Sequence, residues 1–121
     1  MKLHKLLVLT ALFVMTALAA DVTGKWVGQV PGRGGQTAET TFNFKVSGSD
    51  LTGTMTGPQG ELPLKEGKVT GDDIAFKVTL EFNGNSIGLQ FNGKVNGNEI
   101  QMKRMREGAP NAQEFTLKKA S

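Results

Sequence analysis

Between residues 74 and 82 large apolar positions alternate without a break with small or polar ones: Ile74, Phe76, Val78, Leu80 and Phe82 are separated by Ala75, Lys77, Thr79 and Glu81. A period of two marks a strand with one buried and one wet face. Ile87, Leu89, Phe91 and Val95 repeat the pattern against Ser86, Gln90, Asn92 and Lys94, and Thr40, Phe42, Phe44 and Val46 do so against Thr41, Asn43 and Lys45. No segment after the first twenty residues competes with a helical period. The pattern predicts strands at about 24–30, 38–47, 50–56, 61–69, 73–82, 86–95, 99–105 and 114–119.

The punctuation between these segments agrees. All 16 glycines follow the first twenty residues, and they recur between short alternating runs. Val46 to Leu51, Val69 to Ile74 and Val95 to Ile100 share the form V-x-G-x-[DE]-[LI], which reads as a hairpin turn. Gly48, Gly71 and Gly97 supply the positive φ, and their Asn, Asp and Ser neighbours bond the local backbone. Consecutive hairpins make an all-β, antiparallel up-and-down meander of about eight strands. The expected form is a closed or nearly closed barrel, with a two-sheet sandwich of the same strands as the alternative. Because connections alternate between ends, the three repeated turns gather at one tight end. The other end receives the looser connections 31–37, 57–60, 83–85 and 107–113.

The N-terminus is of another kind. Lys2 and Lys5 begin it, an apolar run from Leu6 to Leu18 follows, and Ala17-Leu18-Ala19 offers a small-x-small cleavage site. Residues 1–20 therefore read as a signal peptide cut after Ala19 or Ala20, leaving a single domain over 21–121. An uncleaved anchor is the alternative, though the apolar run is short for a span of roughly twenty residues. The expected location is exported, periplasmic or secreted, with no membrane association after cleavage. Removing the signal leaves 12 basic against 11 acidic residues from the 14 and 11 of the whole chain, so the apparent basicity is mostly targeting. Lysine and arginine are otherwise scattered, which does not suit nucleic acid. The chain has no cysteine, and its only histidine, His4, lies in the signal. That removes Ser-His-Asp and Cys-His catalysis and nearly all zinc sites.

Gly24-Lys25-Trp26 on the first strand, with Leu51-Thr52-Gly53-Thr54-Met55 opening the third, resembles the lipocalin and avidin (calycin) type of eight-stranded barrel. The chain is also similar to small uncharacterised domains of exported bacterial proteins with the same G-x-W start and repeated G-x-[DE]-[LI] turns. The resemblance implies that Trp26 plugs the tight end. It does not carry biotin binding, since this chain has one tryptophan and no tyrosine. The late arginine that packs on this tryptophan in lipocalins has no clear match here. Arg104 and Arg106 fall toward the loop end, which leaves Lys118 or Lys119 as the nearer candidates.

Candidate chemistry is sparse. Asp50, Asp72, Asp73 and Glu99 should gather at the tight end in the manner of a calcium site, although acids are also ordinary turn formers. Glu61, Glu66 and Glu81 could supply a carboxylate pair, but no spacing puts two of them in a cleft. The glycine-rich stretch 32–37 lacks the Gly-Lys-Ser/Thr of a phosphate loop. Thr52, Thr54 and Thr56 form an outward row that β-branched propensity explains. The inward set, rich in phenylalanine, leaves little room for a ligand in the middle of the barrel. The expected function is that of a non-catalytic binding or accessory domain, probed at its looser end through Arg33, Gln36, Gln59, Asn83, Asn85, Arg104, Arg106 and Asn111. The arginines make that rim positive and suit an anionic or glycan-like partner. The rival readings are an interaction protein using its polar sheet face and a small carboxylate hydrolase. The partner is left as a small molecule, a glycan or a protein, the chain as a monomer, and neither metal nor cofactor is expected.

Overall fold

The alternating segments bury one face each by pairing into a sheet that closes on itself. A computed structural model of the protein describes residues 20–31, 36–58, 60–108 and 111–120. Its strands are β1 (Gly24–Pro31), β2 (Thr37–Ser47), β3 (Asp50–Gly57), β4 (Gly60–Pro63), β5 (Lys65–Thr70), β6 (Asp73–Phe82), β7 (Asn85–Asn96), β8 (Glu99–Arg106) and β9 (Ala112–Lys119). All neighbours pair antiparallel, and β1 pairs with both β2 and β9. Eight strands complete the ring, and β4 is an extra strand on β3. The barrel is therefore closed, as the meander predicts, and the sandwich alternative falls away. The signal reading for 1–20 falls, but for Ala20, outside the described residues.

One element differs from its expectation. The run 61–69, read as a single strand, is divided into β4 and β5. Thr54 faces Pro63 on one side of the break, but Asp50 faces Lys68 on the other, a slip of one residue. The pairing with β6 slips at the same place, between Lys65 and Lys68. An extra residue therefore sits in this strand relative to both neighbours, and Glu66 takes φ 51° there. Pro63, which has no amide hydrogen, cannot donate from β4 toward β6.

The repeated turns do more than reverse the chain. Gly48, Gly71 and Gly97 have φ of 65°, 59° and 65°. The residue after each offers its carbonyl to the next strand across: Val69 N donates to Ser49 O at 2.9 Å, Val95 N to Asp72 O at 2.8 Å, and Lys119 N to Asn98 O at 2.9 Å. The acid that follows meets a lysine on that same strand, Asp50 with Lys68 and Asp73 with Lys94 at 2.9 Å, Glu99 with Lys118 at 3.6 Å. Three of the acids expected around calcium are thus each paired with a separate lysine. No cluster able to hold a metal occurs among the described residues.

The core fills the tight half. Trp26 is 1% exposed, as expected, and its indole Nε1 donates to Val22 O at 2.9 Å, so the segment before β1 is drawn under the turns. Lys119 Nζ stands 5.5 Å from the centre of the Trp26 ring and donates to Thr23 O at 3.2 Å. Beyond Trp26, Phe76 and Phe91 stack at 4.9 Å, with Phe42 at 6.0 Å from each. Aromatic pairs at such separations add to the burial of their area.

Candidate functional site

On β8 the buried residues are Ile100 and Met102, and the next positions of the same face are Arg104 and Arg106. On β9, Gln113 precedes the buried Phe115 and Leu117 on their face. Register sets Arg104 between Phe91 of β7 and Gln113 of β9, and Arg106 opposite Leu89. The inward alternation continues past the apolar residues and carries two guanidinium groups toward the barrel interior.

That interior is not filled at the loop end. An open-mouthed cavity of about 670 Å³ lies there, within the range of small-molecule pockets. Phe91 belongs to both its wall and the aromatic cluster, so the packed half of the core forms the cavity floor. Val30, Met55, Leu62, Leu80, Ile87 and Leu89 supply the apolar walls. Thr40, buried at 4% exposure, spends its hydroxyl on Ala38 O at 3.2 Å. The bulk expected to leave little room in the middle is concentrated at the tight end and the cavity floor. At the other end, the inward positions of β1 and β3 hold Val30, Met55 and Gly57, which reach less far across the lumen.

Lys65 with Lys77 is the last pair before β6 runs on without a ladder partner on that side, while β4 stays with β3. Leu62 of β4 and Leu80 of β6, both half-buried, line the cavity there, and Lys65 Nζ donates to Thr79 Oγ1 at 3.3 Å.

The electrostatics are uneven. Arg104 is half-buried and donates through Nη2 to Gln113 Oε1. Burial pulls its guanidinium below the ordinary arginine pKa. Among the described residues no carboxylate forms an ion pair with Arg104 or Arg106. Glu81, the acid on the cavity lining, accepts from Ser86 Oγ at 2.9 Å.

Of the residues expected at this end, Arg104, Arg106 and Asn111 line the cavity together. Gln36, Asn83 and Asn85 sit at the same end but are exposed and form no part of the wall. Asn83 and Gly84 have φ of 53° and 82°, so Asn83 serves the β6–β7 turn. Arg33 and Gln59 lie outside the described residues. Gln113 and the apolar wall were missed, although alternation with Phe115 and Leu117 marks Gln113 as inward. The three glutamates weighed as catalytic acids have separate surroundings: Glu66 pairs with Lys77 at 3.6 Å, Glu81 with Ser86, and Glu61 is exposed on β4.

No protein-family model, curated protein or solved structure matches the chain. The functional reading rests on the geometry of the cavity.

Proposed function

We propose that the protein is an exported, non-catalytic binding barrel that takes a small, largely apolar molecule into its loop-end cavity. The observation that carries this reading is the unequal filling of the barrel. A closed eight-stranded ring has an interior that side chains just fill or that holds one small ligand, and here it is packed at one end and open at the other. Binding at such a place needs no rearrangement of the rigid turns at the tight end. The signal-like start supports export. The Trp26 plug with Lys119 on its ring supports kinship with calycin-type barrels.

Leu89, opposite Arg106 on the cavity wall, offers the test. Leu89→Trp should narrow the cavity beside Arg106 with little loss of stability, because added bulk enters open space rather than a packed core. Isothermal titration with an apolar probe such as 1-anilinonaphthalene should give saturable binding to the native protein and clearly weaker binding to the variant. Unchanged binding in Leu89→Trp, with loss on changing Thr54 or Lys77 of the outer face, would favour the interaction-surface reading instead.

A further inference from the structure

Only three arginines occur in the chain, and two of them, Arg104 and Arg106, line one cavity with apolar walls. A cation on an inward strand position is costly unless it meets a partner. The next inward positions along the same face, Met102 and Ile100, are buried apolar residues, and the register would accept the same at 104. We propose that the ligand carries a carboxylate head group that enters the mouth head-first, is held in a fork by Arg104, and leaves its apolar body against the cavity wall.

The inference rests on the cavity reading and adds to it the charge and orientation of the ligand. Gln113 engages one guanidinium nitrogen through its carbonyl, which fixes the plane of the group and leaves its other N–H donors for a ligand. The amide nitrogen of Gln113 is a further donor beside them. A planar guanidinium matches a carboxylate in two parallel hydrogen bonds, which an ammonium on a flexible stem does not. Among the described residues, Arg104 and Arg106 are opposed on the cavity lining by Glu81 alone, leaving one surplus positive charge there. Glu81 also has the Ser86 hydroxyl as a partner on its own turn. The depressed guanidinium pKa of Arg104 has burial as its cause, so an anion that enters relieves a desolvation that no ion pair with a described residue offsets. Arg106, exposed at the lip opposite Leu89, is placed to draw the head group in.

The test compares decanoate with decanol, which share a chain and differ in head charge, by calorimetric titration of the native protein and of Arg104→Met. Decanoate should bind the native protein at least about tenfold more tightly than decanol, the scale of one charge-assisted hydrogen bond. In Arg104→Met that preference should vanish while decanol binding persists, and the thermal midpoint of the free variant should not fall. The comparison on the native protein keeps the proposal testable even if the variant folds poorly. Equal binding of both probes to the native protein, or a preference that survives in Arg104→Met, would overturn the carboxylate assignment and leave the cavity reading standing. Binding of neither probe, nor of anilinonaphthalene, would overturn both.

Discussion

Trp26 shows how much one residue can do in a chain without disulfides. Its ring is buried beneath the tight-end turns, its Nε1 fixes the segment before β1 through Val22, and Lys119 closes over it from β9. Trp26→Ala should therefore cost about 3–5 kcal/mol, the range for emptying a large aromatic site. Urea unfolding followed by circular dichroism measures it. A loss below about 1 kcal/mol would mean that the ring is a surface contact. The place of Trp26 was legible through the resemblance that Gly24-Lys25-Trp26 carries to calycin-type barrels, which implies a tryptophan at the tight end. Arg104 was legible only as a loop-end residue. Its inward direction follows from counting alternate positions along 99–106, and the strand was expected to end at 105, where a basic run normally signals the approach of solvent.

At the scale of elements, the closing seam is short. β1 and β9 share three paired positions, Trp26 with Lys119, Val27 with Lys118 and Gly28 with Leu117. A Cβ on Gly28 would come to 2.6 Å from both Leu117 Cδ2 and Thr116 O, so the strands can meet only because that side chain is absent. Gly28→Val should force the seam apart at a cost of about 1–3 kcal/mol or more, as overpacking does. Hydrogen exchange should then lose protection at Val27 and Lys118 before it does so at β6 and β7. Uniform protection across the barrel would show that closure does not depend on this approach. The three hairpins were readable from V-x-G-x-[DE]-[LI] because turn chemistry is local. The division of 61–69 into β4 and β5 was not. Pro63 and Gly67 mark the place in the sequence, but the slip is set by two neighbouring strands at once, which no local pattern contains.

For the whole molecule, the sequence carried the closed meander and the contrast between its ends, since both follow from strand alternation and connection length. It did not carry the distribution of bulk along the barrel axis. Phe42, Phe76 and Phe91 lie on three different strands, and only their registers bring them to one level and leave Val30, Met55 and Leu89 facing open space. Binding to such a cavity should stabilise the fold by mass action, by about 2.7 kcal/mol at a hundredfold excess over Kd. The most direct measurement is a titration of the native protein with decanoate followed by amide chemical shifts. The account predicts saturable shifts concentrated at Leu89, Phe91, Arg104 and Gln113, with the tight-end turns at Gly48, Gly71 and Gly97 unmoved. Shifts confined to the outer face around Thr54 and Lys77, or no saturable shift with any apolar probe, would contradict a barrel built to hold a ligand at its open end.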